Sequence, residues 1–160
     1  MPSRTTLVTL AAGAALPALA NAGLKAKIRY DTRAMMGGDV KPLLFNYARD
    51  ATLTFPGNSS WGRTYRGKDE IAGFLQRFLD SGIRGEIEEI VVNGPPWRQT
   101  VAIRFNDVAK DPEGRVVYEN RAVIVAELAW FRIRREEVYE DTEKAAAFDA
   151  YMEGVEAVPA

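Results

Sequence analysis

Arg66-Gly67-Lys68-Asp69-Glu70-Ile71-Ala72-Gly73-Phe74-Leu75-Gln76-Arg77-Phe78-Leu79 reads as an amphipathic helix. Ile71, Phe74, Leu75, Phe78 and Leu79 recur at i, i+3, i+4, i+7 and i+8, one stripe of a 3.6-residue period. Asp69 and Glu70 put negative charge in the first turn, which the helix dipole favours, and Gly82 offers a stop. Burying these five side chains contributes roughly 1.5–3 kcal/mol each before conformational entropy is charged. Such a stripe needs an apolar partner, and the chain downstream supplies one as strands reaching Tyr139.

Outward from that helix, Ala51 to Phe55 alternates as a short strand, Pro56-Gly57-Asn58-Ser59-Ser60 is a loop, and Trp61 follows in it. Ile87 to Val92 is strand-like and is punctuated by Asn93-Gly94-Pro95-Pro96. Trp97 to Phe105 is the next strand, with Val101, Ile103 and Phe105 on one face and Ala102 and Arg104 on the other. Asp111-Pro112-Glu113-Gly114 makes a hairpin turn into a long strand, Val116 to Leu128. Its Tyr118, Asn120, Ala122, Ile124 and Ala126 oppose Glu119, Arg121, Val123, Val125 and Glu127. Phe131 to Glu140 closes the sheet, although Ala129-Trp130-Phe131 lacks the Gly or Asn a tight turn wants. On the other side, Leu24 to Met36 is a helix with Leu24, Ile28, Asp31 and Met35 on one face, ended by Gly37-Gly38. Asp39 is a natural N-cap for a second helix carrying Leu43, Leu44 and Tyr47, with Pro42 in its first turn. Asp141 or Thr142 caps a last helix through Tyr151. Helix, helix, strand, helix and antiparallel meander predict an α+β domain.

The totals narrow the chemistry. With 160 residues the chain is one domain, and 21 basic against 22 acidic residues, without single-sign runs, show no nucleic-acid footprint. The absence of cysteine removes disulfides and thiol chemistry, and the absence of histidine removes Ser-His-Asp and Cys-His catalysis and His-ligated metals. Any acid–base group is therefore a carboxylate, Tyr or Lys with a shifted pKa. The Asp and Glu residues are scattered without ligand spacing, so neither a metal nor another cofactor is expected.

Residues 1–23 form a distinct apolar, Ala-rich segment. One reading is a secretory signal ending at Ala20-Asn21-Ala22; the other is an extra helix broken near Pro17. The division expected is 1–23 for this segment, 24–152 for a single domain and 153–160 for a tail. The location expected is cytoplasmic, or exported if residues 1–22 are a signal, and membrane contact is expected only through residues 1–23.

Four pieces in order resemble the nuclear transport factor 2-like superfamily, and within it the SnoaL-like, ketosteroid-isomerase-like group. They are Met36-Gly37-Gly38-Asp39, Tyr47-Ala48-Arg49-Asp50-Ala51, Tyr65-Arg66-Gly67-Lys68-Asp69-Glu70-Ile71 and Val138-Tyr139-Glu140-Asp141-Thr142. The resemblance implies a cone of about four to six strongly curved antiparallel strands closed by three or four helices, an apolar pocket inside, and frequent homodimers. It does not carry over a known mechanism. The ketosteroid-isomerase-like catalytic Asp falls at Phe55 and the first-helix Tyr at about Asp31. The Asp of epoxide-hydrolase-like members falls at Val138, and their Arg-x-Asp pair survives only as Arg104-Phe105-Asn106. The histidines of polyketide-cyclase-like and scytalone-dehydratase-like members have no counterpart here.

Candidate residues follow from position. Asp31 on an apolar helix stripe would have its pKa raised by desolvation, as a general base requires; the alternative is an ion pair with Lys27 or Arg104. Glu140 is the second catalytic candidate, since a phase that turns Val138 inward turns Glu140 inward too, while Asp141 caps the last helix. Arg104 either binds ligand negative charge or crosses to a glutamate such as Glu119, and Asn120 either donates to an oxyanion or satisfies a backbone group. Tyr118 faces the same pocket, and Trp61 and Trp97 suit its rim or simply pack. These residues point to a small apolar molecule, cyclic or terpenoid-like, bound in the cone with or without cofactor-free proton transfer. The rival reading is a non-catalytic homodimeric or partner-binding module whose cone is filled by Phe55, Phe74, Phe105 and Trp97.

Overall fold

The computed structural model describes residues 4–156. In chain order they form α1 (Arg4–Met36), α2 (Lys41–Asn46), β1 (Tyr47–Phe55), β2 (Arg63–Arg66), α3 (Gly67–Asp80), β3 (Arg84–Asn93), β4 (Gln99–Lys110), β5 (Val116–Ala129), β6 (Arg132–Glu140) and α4 (Thr142–Glu156). The strands make one sheet in the order β2-β1-β6-β5-β4-β3. The class is α+β, as predicted, with one departure: β1 pairs with β6 in parallel, so the sheet is mixed. Register shifts lie between Ile87 and Glu89, Ala109 and Lys110, and Glu127 and Leu128. An inserted residue bends its strand and increases local twist, which curves the sheet around its apolar side.

The stripe of α3 behaves as its spacing predicts: Ile71, Phe74, Leu75 and Leu79 are buried. Phe74 meets Phe55 of β1 and Tyr65 of β2, at ring separations of 5.6 and 4.8 Å. Glu70 reaches back to accept the Arg66 backbone N–H at 3.0 Å, which satisfies one donor left open at the helix start. Gly82, at φ 78°, terminates the element from the left-handed region.

Several boundaries differ from the sequence reading. Tyr47 begins β1 rather than ending the second helix, because its hydroxyl is drawn into the core to bond Glu136. β2 is too short and too basic to show a pattern, with only Tyr65 buried among Arg63, Thr64 and Arg66. β4 runs past Phe105 to Lys110, paired along its length with β5. α1 continues unbroken past Pro17 into the segment beginning at Leu24. Val40 occupies the N-cap position of α2, yet Asp39 supplies the acceptor, taking the Lys41 N–H at 3.0 Å. α4 extends beyond Tyr151 to Glu156; Met1–Ser3 and the last four residues, part of the segment and tail read from the sequence, lie outside the described residues. No helix among the described residues is long and apolar enough to cross a membrane.

Candidate functional site

Inward positions at period two on β4 and β5, together with the buried stripe of α1, enclose two adjoining chambers. The outer chamber, about 340 Å³, is walled by aliphatic side chains such as Leu24, Ile28, Ile103, Ile124 and Leu128, with Phe131 among its lining residues. Its polar lining is confined to Lys27, Asp31, Thr32, Asn46 and Glu136. The inner chamber, about 90 Å³, is lined by Phe55, Trp61, Phe74, Phe78 and Tyr118 and by Asp107, Glu136 and Glu140. Thr32, Leu43, Phe105, Ile124 and Glu136 line both. Phe55, Phe74 and Phe105 line the inner chamber without filling it, and Trp97 points outward.

Glu136 is the polar centre of this arrangement. It is buried, and the Tyr47 hydroxyl donates to its Oε2 at 2.9 Å. Burial pushes its carboxyl up to about 7, against the opposing pull of the Tyr47 bond. Tyr47 in turn is raised well above the usual phenol range by its own burial and then by the adjacent Glu136 charge. In the inner chamber, burial lifts Asp107 to about 6. Glu140 rises to about 7 through burial, with the charge of Asp107 adding to it. Tyr118 is also raised, by burial first and by Glu140 second.

The residues singled out from the sequence divide into three groups. Asp31, 1% exposed, lines the outer chamber; Lys27 Nζ and Asn46 Nδ2 each donate to its Oδ2 at 2.6 Å, while its Oδ1 has no hydrogen-bond partner. Glu140, Tyr118 and Trp61 line the inner chamber. Asn120 is buried beside it and spent on structure: it donates to the Asp141 carbonyl and the Tyr118 hydroxyl and accepts from the Arg121 N–H. Asp141 accepts from the Glu143 and Lys144 N–H groups, capping α4. Arg104 and Trp97 lie outside the cone. Arg104 is on the opposite face of β4, where it pairs with Glu88 and Glu89 of β3 rather than Glu119. Trp97 is 59% exposed and packs against Trp130 at 6.1 Å.

Three residues of the site were not singled out from the sequence. Asn46 closes the second helix and bonds Asp31. Asp107 continues the inward face of β4 two residues beyond Phe105, a position the alternation reaches once the strand is extended. Glu136 shares the phase of Val138 and Glu140 on β6, so the same argument that turned Glu140 inward also applied to it.

Solved structures with the same architecture include Bal32a from a soil-derived mobile gene cassette (TM-score 0.66, 18% identity, 78% of this chain and 95% of that chain). An NTF2-like protein from Burkholderia pseudomallei aligns with TM-score 0.64 and 20% identity over 76% of this chain and 93% of that one. TerC, co-crystallised with polyporic acid, aligns with TM-score 0.63 and 18% identity over 84% and 98%. At these identities the likeness is one of fold. No curated protein matches the chain by sequence. The SnoaL-like domain family matches residues 29–140, which takes in the C-terminal end of α1 and the whole sheet through Glu140. The chain belongs to the SnoaL-like domain family.

Proposed function

We propose that this SnoaL-like domain binds a small, largely apolar molecule in the outer chamber and carries out cofactor-free proton transfer on it at Glu136. The observation that carries the reading is a carboxylate lining an apolar cavity of about 340 Å³, held by Tyr47 through one oxygen. Burial brings that carboxyl to about 7, so both protonation states are populated at neutral pH, which suits an acid–base group. Asp31, in the lining of the same chamber, offers the ligand an acceptor through its unpartnered Oδ1, while Asn46 and Lys27 hold its other oxygen in place. The isomerase, cyclase, dehydratase and hydrolase reactions considered from the sequence share such a proton transfer. Arg104 and Asn120 have no part in it, since neither lines a chamber.

A cyclic ketone with exchangeable α-protons, 2-tetralone, tests the reading. In D₂O the protein accelerates its deuterium exchange above the buffer rate, followed by NMR, and Glu136→Gln lowers that rate roughly a hundredfold or more. Exchange that proceeds equally with Gln at position 136 removes Glu136 from the chemistry. We also propose that the domain is a homodimer joined through the outer face of its sheet, where Val123 and Tyr139 stand exposed as cross-strand partners.

A further inference from the structure

We propose that the inner chamber binds the protonated amine end of a ligand whose apolar body occupies the outer chamber. This rests on the reading that the cone takes a small molecule, and it adds the chemical class of that molecule. The inner lining contains Asp107, Glu136 and Glu140 and no Lys or Arg. A ligand ending in a carboxylate, phosphate or enolate would meet three acids there and no cation.

Asp107 is the decisive group. It is 7% exposed and has no hydrogen-bond or ion-pair partner among the described residues, although it lines the chamber. Buried carboxyls without partners are uncommon, because leaving one unsatisfied costs stability. The fold makes room for this one: Gly85 sits opposite it on β3, and a Cβ there would come within 2.5 Å of Asp107 Oδ1. Glu140 adds a fully buried oxygen, Oε1, without a partner. An ammonium group carries three donors and no acceptor, so it satisfies several such oxygens at once.

The walls agree with the acids. Phe55, Trp61, Phe74, Phe78 and Tyr118 surround the chamber, and aromatic faces attract a cation most strongly where water is excluded. A volume of about 90 Å³ admits a group larger than one water, enough for an ammonium with its first methylenes. Glu136, common to both chambers, then stands beside the atoms next to the amine, where proton transfer is proposed.

Calorimetric titration with 2-phenylethylamine and its neutral counterpart 2-phenylethanol tests this directly. The amine binds roughly tenfold tighter or more, the difference expected when an ionic hydrogen bond replaces a neutral one. Asp107→Asn and Glu140→Gln each bring the two affinities together while leaving the alcohol bound, and retained alcohol binding also reports that each variant is folded. Equal affinities in the unmodified protein, or an amine preference that survives Asp107→Asn, overturn the amine site and leave the apolar pocket standing. Failure of both ligands to bind overturns the pocket reading and this one with it.

Discussion

Glu136 holds its proton because folding takes it out of water and returns one hydrogen bond, from Tyr47. The ordinary glutamate pKa is near 4.5 and the folded value is about 7, so between these values the native state binds more protons than the unfolded chain. The stability this contributes is fully present below about pH 4.5 and is lost as pH rises through 7. Asp107, raised to about 6, and Glu140, raised to about 7, act in the same direction. A raised carboxylate pKa therefore predicts a protein more resistant to heat at pH 5 than at pH 8, in contrast to one held together by ionised acids. For Glu136 alone the change is on the order of 3 kcal/mol across that window, from about 1.4 kcal/mol per pKa unit. Glu136→Gln keeps the shape and removes the titration, so thermal melts of the variant should fall less between pH 5 and pH 8. A variant curve parallel to the wild-type curve would show that the carboxylate is as well solvated folded as unfolded.

At the scale of elements, the β5–β6 turn carries the clearest local conflict. Trp130 and Phe131 have φ of 52° and 62°, the left-handed values that a two-residue hairpin demands and that Asn-Gly adopts without strain. Each bulky residue in that region costs on the order of 1–3 kcal/mol. The return is smaller: Trp130 packs on Trp97 and donates its N–H to the Pro96 carbonyl, which any residue there would do. Replacing Trp130 by Asn and Phe131 by Gly together should stabilise the domain by about 1–2 kcal/mol, seen as a rise of a few degrees in Tm. An unchanged or lower Tm would mean that the exposed aromatic packing outweighs the backbone strain. The missing Gly was visible in the sequence, and so was much of the frame. The α3 stripe, the inward face of β5 and the shared phase of Val138 and Glu140 follow from periods of 3.6 and 2 that burial enforces. Glu136 was within reach of a count by twos from Val138 but not of one from Ile133, because an irregularity pairs Glu127 with Arg135 but Leu128 with Ile133. It passes over Arg134 and turns both Ile133 and Glu136 inward, so counting by twos from Ile133 gives the wrong face. Asp107 was obscured because a charged residue reads as the end of an apolar alternation, whereas here it continues the inward face of β4. The partners of Asp31 and Arg104 depend on which elements meet, and no local period encodes that.

For the molecule as a whole, the two faces of the sheet divide the work. The inner face is apolar with a few buried acids, and the outer face is a field of ion pairs interrupted by apolar side chains. Arg104 and Arg121 share Glu88, and Arg135 pairs with Glu127. Between them Val123 and Tyr139 are directly opposite one another across β5 and β6, 37% and 56% exposed, with Val91 exposed farther along the sheet on β3. A two-fold axis through such a surface lets each apolar residue meet its counterpart while charges of both signs pair around it, the self-complementarity a symmetric dimer requires. An interface of ordinary size covers about 800 Å² per partner, an extent comparable to several adjacent strands of this sheet. Light scattering coupled to size exclusion should therefore give twice the 17.7 kDa of one chain. Val123→Asp combined with Tyr139→Asp should give a monomer, because it buries like charges against each other at the axis. The substitutions lie on the side of the sheet away from both chambers, so 2-phenylethanol affinity should persist in the monomer. A wild-type protein that elutes as a monomer at micromolar concentration would remove the outer face from consideration as an interface. Loss of alcohol binding on dissociation would instead mean that pairing of the sheets fixes the curvature on which the cavity depends.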